Sequence, residues 1–197
     1  MNYAEELAYW YLRLNGFFPI SNFVVHKSSL VSHTSDVDLL AIRPPFVYEE
    51  VGGQSQDWDS YLTGKLDFNR SIGLVCEVKS GSFEEEKLFR SDHLRYTLSR
   101  LGLVSPKSID QALAGLSQSA TVEVDGGSQV AKLFVSSAED YGGPYLSRSL
   151  SQMEDFLVER VNRYPVRKYG DRMFFPSHLF QQIIAQVHRQ IGQRNLA

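Results

Sequence analysis

Two short segments set carboxylates among apolar neighbours: residues 35–43 (SDVDLLAIR) and 73–80 (GLVCEVKS). Read as strands, their side chains alternate in direction. Asp36, Asp38 and Leu40 then share one face and Val37, Leu39 and Ala41 the other, while Glu77 and Lys79 share a face from which Cys76 and Val78 point away. Leu74, Val75, Cys76 and Val78 give the second segment the apolar density of an inner strand covered on both sides. Ionised groups inside such a strand are costly unless they are paired or bound to a cation. Two explanations fit. One is an ion pair of Lys79 with Glu77 or Asp38 at an exposed sheet end, worth little. The other is a magnesium site, because a hard divalent cation takes a few carboxylate oxygens and keeps several waters and phosphate oxygens. Asp38 and Glu77 would supply the carboxylates and the Val78 carbonyl a backbone ligand. Lys79 would orient or deprotonate a metal-bound water, which is the equipment for metal-assisted hydrolysis of a phosphodiester.

The elements that must position these groups follow from periodicity. Residues 3–15 read as a helix, with Leu7, Ala8, Tyr11 and Leu12 apolar and Asn15-Gly16 as an αL-tolerant stop. A strand is expected near 22–26, and further strands over 35–43 and 71–80. Between the last two, residues 44–70 hold two prolines, Gly52-Gly53 and acidic residues, and are too long for a plain loop. They read as an inserted excursion tacked to the body by Phe46, Tyr48, Trp58 and Tyr61. Residues 84–102 follow a helical pattern, and Ser105-Pro106 opens a shorter helix. Residues 121–124 and 129–136, joined through Gly126-Gly127, read as a hairpin. Ser151-x-x-Glu154 has the form of a capping box starting a helix to about Tyr164, and a last helix follows Pro176. The order is a mixed α/β one, with a core over 1–150 and a helical extension over 151–197 packed on it.

The chain has 197 residues, 43% hydrophobic, enough to bury about 70% of its unfolded surface without a metal or disulfide staple. The 12% aromatic content excludes intrinsic disorder. No run approaches about 18 apolar residues, so no membrane partner is expected. The acidic, amphipathic amino terminus does not read as a secretory signal. Cys76 stands alone, which fits a reducing, cytoplasmic setting. The net charge of −3 argues against a uniformly basic nucleic-acid coat but leaves room for a local patch.

Together these segments resemble the restriction-endonuclease-like, PD-(D/E)xK, nuclease superfamily, in its resolvase-like, Mrr-like and YraN-like branch. The matching pieces are Glu5 in AEELAYWYLRLNGF, Asp38 in SDVDLLAI, and Glu77 with Lys79 in LVCEVKSG. The leading helix also matches at Ala8, Leu12, Gly16 and Phe17. The resemblance covers about residues 3–101, and the carboxyl half has no counterpart in it. It implies an αβββαβ core with a mixed central sheet flanked by helices, and a Mg²⁺-dependent nuclease (Mn²⁺ substituting) acting on DNA, branched or single-stranded substrates included. Asp38 and Glu77 would bind the metal and Lys79 would position the attacking water. Glu5 would complete the metal site or support it from behind. Glu5 is the better match than Glu6, which reads as solvated. The family also implies a homodimer. Val37 stands where the family has proline, and the interval from Asp38 to Glu77 is longer than its usual hairpin.

Other signals are weaker. Arg90 and Arg95, on the helix after the motif, suit phosphate contact or a solvated face. The last 42 residues hold seven Lys/Arg against two acids, and RYPVRKYGDRMFF interleaves Arg163, Arg167, Lys168 and Arg172 with aromatics, a mixture that suits unpaired bases and phosphates. The five histidines show no zinc spacing. Ser32, His33 and Asp36 are too close in sequence to converge as a triad. Competing with the nuclease reading are a catalytically inactive module of the same fold that binds DNA or protein, and a phosphohydrolase acting on a nucleotide.

Overall fold

The computed structural model describes residues 1–24, 36–138, 141–164 and 177–194. They form a six-stranded mixed sheet. β1 (Phe18–Val24) runs antiparallel to β2 (Asp36–Arg43), and β2 antiparallel to β3 (Ile72–Lys79). β3 lies parallel to β5 (Gln129–Ser136). The far edge of β5 is shared: β4 (Thr121–Glu123) pairs antiparallel with its first half and β6 (Leu146–Ser149) parallel with its second. The sheet is mixed and flanked by helices, as expected of a mixed α/β chain, and two helices and a short antiparallel strand lie between β3 and its parallel neighbour β5. Among the described residues, no helix is long and apolar enough to cross a membrane.

Each face of the sheet carries helices. α1 (Tyr3–Leu14), α5 (Leu150–Arg163) and α6 (His178–Arg194) cover one face. There Leu7, Tyr11 and Leu12 meet Leu39, Leu74, Cys76 and Leu133 of the sheet and Leu157 and Val187 of the later helices. α3 (Ser91–Leu101) and α4 (Ile109–Gln118) cover the other, where Leu94, Leu98 and Leu116 meet Leu40, Val75, Val130 and Phe134. Adjacent residues of β3 thus enter different cores, which is why its sequence reads apolar without alternation. The boundary expected at 150/151 falls in the first turn of α5, whose Met153, Leu157 and Val161 belong to the same core as α1.

Several boundaries differ from expectation for local reasons. β1 starts four residues early and takes in Pro19, which an edge strand tolerates because one side of it has no ladder to serve. The helix expected from Glu84 begins at Ser91. Residues Glu85–Lys87 make a single 3-10 turn, and Phe89 takes a left-handed φ of 50°, burying its ring in the second core. The capping box that starts α5 is Ser149-x-x-Gln152, one turn-half earlier than Ser151-x-x-Glu154: the Ser149 hydroxyl accepts from the Gln152 amide at 3.1 Å and the Gln152 side chain accepts from the Ser149 amide at 3.0 Å. Val37 lines the second core with Leu40 rather than the first with Leu39, so strict alternation does not hold across Asp38, although β2 stays paired with β1 through Val37 to Asp36.

The excursion holds a 3-10 turn (Ser55–Asp57) and the one-turn helix α2 (Ser60–Thr63). Trp58 and Tyr61 tie it to the body as expected, but Phe46 and Tyr48 are exposed. The main fastener is Arg43, the last residue of β2, which is almost wholly buried. Its Nε donates to the Asn15 carbonyl at 3.0 Å and its Nη1 to the Phe68 carbonyl at 2.9 Å, with the guanidinium 3.8 Å from the centre of the Phe68 ring. Burial lowers this guanidinium to about 10, so it is a cation at neutral pH. Gly16 must stay small beside it: its φ is +82°, and a Cβ there would lie 3.0 Å from Val47 and 3.2 Å from the Arg43 side chain.

Candidate active site

β2 and β3 separate beyond Leu39 and Cys76, the last pair of their ladder. The Val78 amide, on the β2 side of β3, would be left without a carbonyl partner there, and the Asp38 side chain takes its place: Oδ2 accepts from the Val78 N–H at 2.7 Å. The N–H and C=O of one strand residue leave the strand on the same side, so the Val78 carbonyl faces the same gap. Lys79, one residue on, donates from Nζ to Asp38 Oδ2 at 3.0 Å and to Glu77 Oε2 at 2.9 Å. Asp38, Glu77 and Lys79 therefore meet on the second face of the sheet, at the carboxyl end of its central parallel strand. All three are half-buried.

The electrostatics are those of two acids sharing one cation. Glu77 sits above the ordinary carboxylate value because burial penalises its charge and Asp38 repels it, with Lys79 only partly offsetting this. Lys79 is pulled down by burial, but Glu77 and Asp38 outweigh that and hold it above the usual lysine value, so it is an ammonium at neutral pH. Cys76, buried behind the strand, is pushed well up by burial and then by the two acids, so it is a packing residue rather than a nucleophile.

The donors suit a hard cation. The hydrogen bonds to Asp38 fall on Oδ2 and that to Glu77 on Oε2, leaving Oδ1 and Oε1 without a partner among the described residues. Both side chains keep part of their surface open to solvent. Two carboxylates against one ammonium leave surplus negative charge, and one or two carboxylates are what Mg²⁺ takes from a protein. Among the described residues no group of three or more His, Cys, Asp or Glu side chains is placed to hold a metal ion, so the protein offers two carboxylates here.

Glu5 lies elsewhere. Asn2-x-x-Glu5 is a capping box: Asn2 Oδ1 accepts from the Glu5 amide at 3.0 Å, and the Glu5 carboxylate accepts from the Asn2 amide at 3.1 Å and its side-chain NH₂ at 2.6 Å. The carboxylate that the resemblance assigns to the metal site is thus spent on the start of α1, on the opposite face of the sheet. Glu6, expected to be solvated, accepts from the Ser177 hydroxyl at 2.5 Å and ties α1 to the approach to α6.

The basic residues divide. Arg90 pairs with Asp92 at 3.4 Å and Arg95 with Asp110, both exposed on the face of the sheet that bears the cluster. Arg163 is a fastener on the other face: it pairs with Asp57 at 3.3 Å and Glu159 at 2.5 Å, holding α5 against the excursion. Arg167, Lys168 and Arg172, like the Ser32-His33 pair, lie outside the described residues.

Two buried polar groups had no signal in the sequence. Asp59 is buried, and its Oδ2 accepts from the Tyr11 hydroxyl at 2.5 Å and from Arg148 at 2.6 Å, locking the excursion to α1 and β6. Lys132 is 3% exposed on β5, its Nζ donating to the Leu116 carbonyl near the end of α4 and lying 5.5 Å from the Phe89 ring centre. Burial lowers it to about 8, with no carboxylate paired to it among the described residues. Comparison with protein-family models, curated proteins and solved structures finds no match for this chain.

Proposed function

We propose that the chain is a Mg²⁺-dependent nuclease hydrolysing DNA phosphodiester bonds at Asp38, Glu77 and Lys79. The observation that carries this reading is the meeting of those three side chains, from two strands, within hydrogen-bond distance of one ammonium. Asp38 and Glu77 would hold the cation through their unpartnered oxygens, beside the Val78 carbonyl. The bound cation would supply Lewis acidity toward the phosphoryl oxygens and toward water.

The protein's own groups account for the rest. The Val78 amide fixes the Asp38 carboxylate, so its free oxygen is preorganised. Lys79 is charged while both acids face it. Burial by itself opposes that charge, so a cation drawing on the two acids would weaken their hold on the ammonium proton. Lys79 then orients the attacking water or takes its proton. The water oxygen adds to phosphorus and one P–O ester bond breaks; the leaving alkoxide takes a proton from solvent, so a phosphate monoester and a free hydroxyl result. Incubation of the full chain with supercoiled and linear DNA in Mg²⁺ or Mn²⁺ tests this. Lys79→Ala should lose at least about a hundredfold in rate, and equal rates for variant and wild type overturn the reading.

A second reading is favoured by Glu5, whose carboxylate caps α1: a nuclease-fold module that binds DNA or a protein without cutting. It expects no calorimetric Mg²⁺ binding and no effect of Asp38→Asn on complex formation.

A further inference from the structure

We infer that Tyr141, backed by Phe83, is a stacking platform for an unpaired base next to the scissile phosphate, so the substrate is single-stranded or locally unpaired; this rests on the nuclease reading of the neighbouring cluster. Phe134 on β5 is the register partner of Glu77 on β3, and Ser136 that of Lys79. Phe134 packs in the second core with Val75, two residues before Glu77, so ring and carboxylate stand on one face of adjacent strands. Above Phe134 the two loops that leave these strand ends meet. Phe83, from the loop after β3, lies 4.9 Å from the Phe134 ring centre, and Tyr141, from the loop after β5, lies 5.1 Å from Phe83 and 5.5 Å from Phe134. Phe134 is fully buried, Phe83 half-buried and Tyr141 36% exposed, so the stack rises from the core to solvent at the edge of the acidic cluster.

The arrangement selects a base rather than a phosphate. Interplanar angles of 66° to Phe83 and 78° to Phe134 hold Tyr141 as a fixed plane, so little freedom is lost when a flat partner settles on it. The rim beside it is acidic: Glu84, Glu85 and Glu86 follow Phe83, Lys87 bridges to Glu84 at 2.7 Å, and the Tyr145 hydroxyl donates to Glu85 at 3.1 Å. Such a rim supplies no net cation for a phosphate, so the contact it favours is with the uncharged face of a base. Stacking needs that face free, and a base inside a duplex has both faces covered by its neighbours.

The test uses the full chain with a short single-stranded oligodeoxynucleotide carrying 2-aminopurine and with its duplex, in calcium so that binding is read apart from cleavage. Wild type should bind the single strand at least about tenfold tighter than the duplex. Tyr141→Ala should lose about tenfold toward the single strand only, while Tyr141→Trp keeps affinity and fluorescence change. Equal single-strand affinity of wild type and Tyr141→Ala, with circular dichroism unchanged, overturns the inference, as does a preference for duplex or no binding at all. Cleavage that depends on Lys79 but not on Tyr141 defeats this inference alone. Tyr141-dependent binding without any metal-dependent cleavage defeats the hydrolase reading instead.

Discussion

The Asp38 carboxylate accepts a hydrogen bond from the Val78 backbone amide at 2.7 Å, across the gap where β2 peels away from β3. A side chain thus completes a sheet where the backbone stops, and the same atom faces Lys79 at 3.0 Å. Asp38→Asn can keep its oxygen on the Val78 amide while losing the charge. We expect it to fold, to lose calorimetric Mg²⁺ binding, and to cut DNA at least about a hundredfold more slowly. Mg²⁺ affinity equal to that of wild type would count against Asp38 as a ligand.

Glu77 gives the site a pH signature. Burial raises its folded value above the unfolded one, so between the two the folded chain holds the extra proton, and stability grows as pH falls through the raised value. A cation needs the ionised form, so Mg²⁺ affinity should fall over that same interval, above the ordinary carboxylate range. Calorimetric titrations at a series of pH values check this, and an affinity that stays flat across the interval would exclude Glu77 as the titrating ligand.

Lys132 should act in the alkaline range. Its folded value of about 8 lies below the ordinary 10.5, so the unfolded chain holds more protons between them and stability rises as pH goes from about 8 to about 10.5. Lys132→Met removes the titrating group. Its stability relative to wild type, read from urea unfolding, should therefore be more favourable at pH 7 than at pH 10. A difference independent of pH would show that the lysine escapes its burial. Lys79 works in the opposite sense, its contribution being lost only as pH rises through a value above 10.5.

Glu5→Gln separates the helix cap from metal binding. Glutamine serves the third position of a capping box as well as glutamate does, so helix stability should barely change and DNA cleavage should persist. Glu5→Ala should cost about 1 kcal/mol in unfolding free energy with cleavage still present. Loss of cleavage in Glu5→Gln, with the melting temperature unmoved, would return this residue to the metal site.

Asp59→Ala should be the costly change away from the chemistry. It strands Arg148 and the Tyr11 hydroxyl in a buried setting, a loss of about 3–5 kcal/mol. Chemical denaturation measures this, and Mg²⁺ affinity at Asp38 and Glu77 should be unchanged in the folded fraction.

Glu77 and Lys79 were legible as a pair because the period of a strand puts them on one face; that Asp38 meets them rests also on its hydrogen bond to the Val78 amide, since alternation fails between Val37 and Leu39. The helix α1 and the β4–β5 hairpin were legible for the same reason, from period and turn residues. Glu5 was not, because Asn2-x-x-Glu5 satisfies a helix start and a catalytic motif equally well, and only the hydrogen bonds choose. β6 is four residues long, too short to carry a period, and exists because the second half of β5 has an edge to fill. The left-handed turn at Phe89 is likewise a tertiary choice, a ring drawn into the core at the expense of a longer helix.

Arg43 and Arg160 both approach the ring of Trp58, at 5.1 and 5.8 Å from its centre. The excursion therefore carries an indole whose surroundings change the moment residues 44–70 lift from the sheet, whereas Trp10 is buried in the main core. With only two tryptophans in the chain, a Trp10→Phe background would make intrinsic emission a private optical gauge of that detour, able to tell its detachment from collapse of the whole molecule.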